Sequence, residues 1–188
     1  MAEIKILALG DSLTAGYGLA PGESFADQLQ AALRAKGHRV TVVNAGVSGD
    51  TTAGGLARVD WLLGDRPDAA IVELGANDGL RGIDPASTKA NLNGILEKMA
   101  ANDVPVLLAG MLAPPNLGSE FGEAFNSLFP VLAEQHDAVY YPFFLEGVAR
   151  VPELNLSDGI HPTAEGIGVI VENILPKAEE LLARVPQG

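Results

Sequence analysis

The sequence predicts one α/β domain in which five parallel strands form a sheet covered by helices on both faces. Three observations predict it. The chain has 188 residues, the size of one domain, and a chain of that length hides about 70% of its unfolded surface without disulfides. Five short apolar runs alternate with stretches of helical spacing from end to end. Those runs are almost continuously apolar, as strands buried on both faces are. No internal repeat, low-complexity tract or linker interrupts them, so residues 1–188 read as a single domain.

Residues 4–9 are short and apolar and stop at Gly10, as a buried first strand does. Phe25, Leu29, Ala32 and Leu33 follow at helical spacing, with Gly37 placed to end that helix. Residues 40–43 make the second strand. Leu56, Val59 and Leu63 mark a second helix, closed by Gly64 and Pro67. Residues 69–74 form the third strand, stopped by Gly75. Leu92, Ile95, Leu96 and Met99 mark the third helix, and residues 104–109 the fourth strand. Phe121, Phe125, Leu128, Phe129 and Leu132 give a fourth helical face, followed by a weak fifth strand at residues 138–140. In the last helix Ile167, Ile170, Val171, Ile174, Leu175, Ala178, Leu181 and Leu182 keep to one stripe, which Pro176 is expected to kink or break.

Composition removes several classes of function. With 24 acidic and 12 basic residues the net charge is −12, which argues against an electrostatic grip on nucleic acid or anionic headgroups. The excess is concentrated in residues 119–188, with 11 acidic and 3 basic residues, among them helix positions such as Glu172, Glu179 and Glu180 expected to be exposed. The absence of cysteine rules out disulfides, thiolate metal sites and a cysteine nucleophile. Three scattered histidines show no metal-ligand spacing, so no metal is expected. No run reaches the ~18 apolar residues of a membrane span. The start, Met1-Ala2-Glu3-Ile4-Lys5, lacks the basic head and long apolar stretch of a leader. The expected location is therefore cytoplasmic, or periplasmic or secreted if a leader was trimmed and a start Met added; the oligomeric state is left open.

In a parallel sheet of this kind ligands bind outside the carboxyl ends of the strands. The loops there carry four blocks: Gly10-Asp11-Ser12-Leu13, Asn44-Ala45-Gly46-Val47-Ser48-Gly49-Asp50-Thr51, Gly75-Ala76-Asn77-Asp78, and Asp158-Gly159-Ile160-His161-Pro162 before the last helix. Each alone reads as a plain turn or cap. Together they place a nucleophile, an acid–histidine pair and several donors at one edge of one sheet, the parts needed for acyl transfer.

These blocks resemble those of the SGNH hydrolases, the GDSL esterase and lipase family. Gly10-Asp11-Ser12-Leu13-Thr14-Ala15-Gly16-Tyr17, Ser48-Gly49-Asp50-Thr51, Leu74-Gly75-Ala76-Asn77-Asp78-Gly79-Leu80-Arg81-Gly82 and Asp158-Gly159-Ile160-His161-Pro162 are similar to its bacterial thioesterase I/lysophospholipase L1/arylesterase branch. The likeness spans nearly the whole chain, in the family's order and spacing. It implies a three-layer α/β/α sandwich, flavodoxin-like, with a five-stranded parallel sheet. It also implies a serine esterase for carboxylic esters and thioesters (aryl esters, acyl thioesters, lysophospholipids), acting without a cofactor on a small-molecule substrate.

The residues fit that chemistry independently. A serine hydroxyl needs an adjacent base to become a nucleophile at neutral pH. Ser12, on the turn leaving the first strand, would attack the acyl carbonyl, and His161 would take its proton and return it to the leaving group. Asp158, three residues earlier, would fix the imidazole tautomer. The resemblance assigns the oxyanion donors to the backbone N–H groups of Ser12 and Gly49 and the side-chain amide of Asn77, with Gly46 an alternative to Gly49. Asp11 and Asp78 read as turn-stabilising and capping residues.

Other residues read more plainly. His38 fits a solvated loop, and His136 a helix end, where a cation is favoured. Trp61 and the Phe121/Phe125/Phe129 stripe fit core packing. Met111, Leu112, Pro114, Pro115 and Leu117, together with Leu80 and Arg81, either line an acyl groove or form rigid surface loops. Three competing readings stand beside the esterase. An α/β-hydrolase lacks its G-x-S-x-G elbow here. A flavodoxin-like binding module would hold a flavin phosphate on residues 12–16, yet the loops after Leu74 and Ala109 carry no Trp or Tyr to stack on the ring. An acyl-sugar deacetylase or acyltransferase on the same fold would share every catalytic residue.

Overall fold

The computed structural model describes residues 3–186; Met1 and Ala2, on which part of the expectation about a leader rests, lie outside the described residues. Five strands, β1 (Ile4–Gly10), β2 (Val40–Gly46), β3 (Ala69–Glu73), β4 (Val106–Ala109) and β5 (Val139–Tyr141), form one sheet in the order β2-β1-β3-β4-β5. Every pairing is parallel. The helices are α1 (Ser12–Ala15), α2 (Phe25–Ala35), α3 (Thr52–Leu63), α4 (Ala76–Leu80), α5 (Pro85–Ala101), α6 (Ser119–Gln135) and α7 (Ala164–Ala183). α2 packs on α7 to form one outer layer, while α3, α5 and α6 form the other. The expected five-stranded, three-layer α/β/α sandwich is what the chain forms.

The layers follow from where the apolar residues fall. All of β3 is buried, as are Ile6 to Gly10 of β1, because helices cover both faces of the central strands. Phe25 from α2 and Phe125 and Phe129 from α6 are fully buried. The helix starts are fixed locally: Ser24 accepts from Asp27 N, Thr51 from Gly54 N and Thr163 from Gly166 N, and Asp84 caps α5 ahead of Pro85.

The register matters most for function. Gly10 pairs with Gly46 of β2 on one side and Glu73 of β3 on the other, so three strands end level. The chain runs outward from β1 to β2 and then returns across it to β3. That reversal opens a crevice at the carboxyl ends of β1 and β3, where two of the four motif blocks leave the sheet.

The structure differs from expectation at particular elements. β2 continues to Gly46 and β4 begins at Val106, and the short helices α1 and α4 sit inside motif blocks. Pro176 does not break α7, which runs unbroken to Ala183. The carbonyl that the proline leaves without its donor belongs to Glu172, an exposed residue, so water can satisfy it. Trp61 is not a core residue: it is 79% exposed, because its neighbours Leu62 and Leu63 take the inward positions on α3. His38 is not merely solvated, since it lies 3.1 Å from Glu179, which also binds Lys36 at 2.6 Å. Glu179 is accordingly half-buried, while Glu172 and Glu180 are exposed. His136 is the C-cap of α6, as its position suggests.

Candidate active site

Ser12 owes its position to the two residues before it. A side chain on Gly10 would place Cβ 2.1 Å from Thr14 Oγ1, so only glycine lets β1 turn directly into α1. Asp11 then caps α1, its Oδ1 accepting from Leu13 N at 2.9 Å. Ser12 is thereby the first helical residue, with its N–H directed away from the helix and carrying no hydrogen bond among the described residues. Gly16 ends the turn at φ +87°.

His161 reaches Ser12 from the loop before α7. Its Nε2 lies 3.0 Å from Ser12 Oγ. Its Nδ1 lies 2.6 Å from Asp158 Oδ2. The loop is internally braced: Asp158 Oδ1 accepts from both Ile160 N and His161 N at 3.0 Å, and Leu156 N donates to His161 O at 2.7 Å. The Ile160 N–H, then the His161 ring and N–H, hold the Asp158 carboxyl down to about 2. Asp158 is therefore a carboxylate across the neutral range. The face of His161 is covered by Tyr17, with ring centroids 4.3 Å apart at 35°.

Gly49 and Asn77 line the same cavity as Ser12. Gly49 lines the cavity at φ +83°, in a turn closed by Asp50 N donating to Val47 O, and its N–H has no partner among the described residues. The Gly46 N–H is already bound to Asn44 Oδ1 at 3.0 Å, and a Cβ there would lie 2.2 Å from Ala15 N. Gly46 is thus a packing glycine and Gly49 the open one. Asn77 leaves β3 after Gly75, whose φ of +120° and contact with Phe129 suit only glycine. Its Nδ2 donates to Asp50 O at 2.9 Å and, more weakly, to Asp11 Oδ2 at 3.4 Å.

Several supporting residues carried no signal that sequence reasoning used. Arg58 on α3 binds Asp50 Oδ2, Ala45 O and Gly10 O at 2.7 to 2.9 Å, tying the Gly49–Asp50 turn to the ends of β1 and β2. Asp78 does not cap its own short helix. It accepts from Thr52 N, Thr52 Oγ1 and Thr88 Oγ1, joining α4 to α3 and α5. Next to Ser12, Asp11 and Glu73 are both buried, and Asp11 N donates to Glu73 Oε1 at 3.4 Å. Burial, with Asp11 beside it, pushes the Glu73 carboxyl well above the ordinary range; burial likewise raises Asp11 to about 6. Thr14 Oγ1 donates to Glu73 Oε1 at 2.7 Å, while the buried Glu73 Oε2 has no hydrogen-bond partner among the described residues, where a negative charge would be costly.

The cavity above these groups has a volume of about 450 Å³. Leu80, Met111, Leu112 and Pro114 line it, as do Phe143, Leu145, Ala149, Arg150 and Ile160. The loop carrying Met111 to Pro114 is held to α6 by Ala113 N donating to Asn126 Oδ1 at 2.7 Å. Met111 is buried, whereas Leu80, Leu112 and Ile160 are half exposed at the rim. Leu117 is not brought to the cavity: it ends a 3-10 turn and approaches Gly82 instead. Arg81 lies outside the lining and donates to Gly49 O at 3.0 Å. Among the described residues no group of three or more His, Asp or Glu side chains could hold a metal ion, and no helix is long and apolar enough to cross a membrane.

Residues 8–167 match the GDSL-like lipase/acylhydrolase family. The chain belongs to that family. Esterase TesA of Pseudomonas aeruginosa is 42% identical over 178 residues, covering 94% of this chain and 89% of the relative. Thioesterase 1/protease 1/lysophospholipase L1 of Escherichia coli is 38% identical, covering 94% of this chain and 84% of the relative. The crystal structure of AlinE4, an esterase of the SGNH-hydrolase family, matches with a TM-score of 0.82 at 47% identity, covering 100% of this chain and 99% of that one. This GDSL-family chain is accordingly an ester-hydrolysing enzyme of the SGNH type.

Proposed function

We propose that this enzyme cleaves carboxylic esters and thioesters through a covalent acyl-enzyme on Ser12, with His161 as base and Asp158 as its partner. The observation that carries the reading is the line of contacts from Ser12 Oγ to His161 Nε2 at 3.0 Å and from Nδ1 to Asp158 Oδ2 at 2.6 Å. With Asp158 ionised, Nδ1 holds its proton toward the carboxylate and Nε2 is free to accept from the serine hydroxyl. Ser12 Oγ attacks the acyl carbon as its proton passes to Nε2, and Asp158 stabilises the imidazolium. The negative charge on the carbonyl oxygen is met by Ser12 N–H, Gly49 N–H and Asn77 Nδ2, the first two unengaged among the described residues and the third held by Asp50 O at 2.9 Å and only weakly, at 3.4 Å, by Asp11 Oδ2, a contact it can exchange for the oxyanion.

The tetrahedral adduct collapses as His161 returns the proton to the departing alcohol or thiol. A water molecule then repeats the sequence on the acyl-enzyme, regenerating Ser12 and releasing the acid. The chain's own parts suffice for each of these proton transfers. The apolar wall of Leu80, Met111, Leu112 and Pro114 suits an acyl chain better than a sugar, which would need more hydrogen-bonding groups. The substrate classes that fit are aryl esters, acyl thioesters and lysophospholipids.

Replacement of Ser12 by Ala tests the reading. Turnover of p-nitrophenyl butyrate should fall by at least about 1,000-fold with an unchanged far-UV spectrum and melting temperature. A variant that retained a tenth of the parent rate would remove Ser12 as nucleophile.

A further inference from the structure

The face of His161 is where the structure holds a group that the proton relay does not use. Tyr17 sits one residue beyond Gly16, whose left-handed backbone ends α1 and sends the chain back over the site. Its ring centroid is 4.3 Å from that of the imidazole, with the planes inclined by 35°. The contact is a tilted ring-on-ring one rather than a hydrogen bond, and Tyr17 itself is 51% exposed, so no buried packing requirement accounts for its place.

The surroundings of His161 leave this face for Tyr17. Nδ1 is occupied by Asp158 from the same loop and Nε2 by Ser12 from α1. Asp11, the N-cap of α1, is the further carboxyl on this side of the cavity, buried and lining it. Arg150 lines the same cavity. The face of an aromatic ring is electron-rich and attracts a cation within about 6 Å of its centroid. His161 becomes a cation only when it has taken the serine proton, so the attraction strengthens as the reaction proceeds.

Resting on the reading of His161 as the base, we propose that Tyr17 is a positioning residue whose ring face fixes the imidazole plane against Ser12 and Asp158 and favours its protonated form. An imidazole bound only at its two nitrogens still has freedom to rock about the line joining them. The tilted ring removes that freedom on one side. It also adds a preference for imidazolium without placing another carboxylate near the developing oxyanion.

The test uses the complete chain with Ser12→Ala and a proton-NMR titration of the three histidines, with His38 and His136 identified by their glutamine variants. Tyr17→Phe keeps the ring face and removes the hydroxyl; Tyr17→Leu keeps apolar cover and removes the face. The midpoint for His161 should stay within about 0.2 unit in the phenylalanine variant and fall by about 0.5 unit in the leucine variant. In the chain with Ser12 intact, the acid limb of kcat/KM should move to lower pH in the leucine variant alone. A leucine variant with the parent's midpoint would overturn the proposal, as would a phenylalanine variant that shifts as far as leucine. The titration does not depend on turnover. A serine-free variant that still hydrolysed ester would sink the nucleophile reading separately, leaving the midpoint comparison intact.

Discussion

Ser12 Oγ and His161 Nε2 lie 3.0 Å apart although 149 residues of chain separate them. The sheet order explains how. Ser12 leaves β1 at the crevice, and the chain must cross β3, β4 and β5 before the loop ahead of α7 returns His161 to it. α7 packs on α2 and on β5, so the histidine loop is anchored to the same layer that follows Ser12.

Asn77 is the most direct probe of charge stabilisation. Its amide is held by Asp50 O at 2.9 Å, and the residue lines the same cavity as Ser12. Asn77→Ala should lower kcat by about 100- to 1,000-fold, with KM changed much less. Steady-state kinetics on a p-nitrophenyl ester measures the split, and an unchanged kcat would take Asn77 out of the oxyanion site.

The buried carboxyl pair next to Ser12 gives stability an unusual dependence on pH. Asp11 and Glu73 keep their protons in the folded chain at pH values where the unfolded chain has lost them. Stability from these groups is therefore present at low pH and lost as pH rises, for Asp11 between about 4 and 6. Asp158 acts the other way: with its carboxyl held at about 2, its contribution is present above the ordinary carboxylate range and lost as pH falls toward 2. Glu73→Gln, neutral at every pH, should flatten the decline that begins as pH rises above the ordinary carboxylate range by up to about 1.4 kcal/mol per pH unit, the slope of one proton. Urea unfolding at pH values above that range measures it; an unchanged slope would mean that Glu73 is ionised in the folded chain.

Met111 is a buried apolar residue on the cavity wall, whereas Leu80 and Leu112 are at the rim. Met111→Trp should shorten the space available to an acyl chain. The ratio of kcat/KM for p-nitrophenyl octanoate over acetate should fall about tenfold or more. Equal losses on both esters would place the acyl chain elsewhere.

Much of this was legible in the residues because the signals were local. Apolar runs stopped by Gly10 and Gly75 located β1 and β3 and, with them, the crevice. The Asp158–His161 spacing was readable because both lie on one tight loop. Contacts assembled from distant segments were not. Arg58 carries no local signal, since only the placing of α3 brings it against Gly10 O and Ala45 O. Glu73 carries none either, since it is buried against Asp11, 62 residues earlier. Pro176 and Trp61 were misjudged for a related reason: whether a proline is tolerated, or an aromatic ring buried, depends on which side of the helix faces water. Leu117 follows Met111 closely in sequence, yet the 3-10 turn between them carries it away from the cavity.

Trapping the covalent intermediate tests the central claim most directly. Turnover of p-nitrophenyl butyrate is quenched with acid during the steady state and the peptic peptides are weighed. A single butyryl group on the peptide containing Ser12, absent from Ser12→Ala, is the predicted result. A steady state with no acylated peptide under conditions of a measured p-nitrophenol burst, or a butyryl group carried on Ser48, would contradict it.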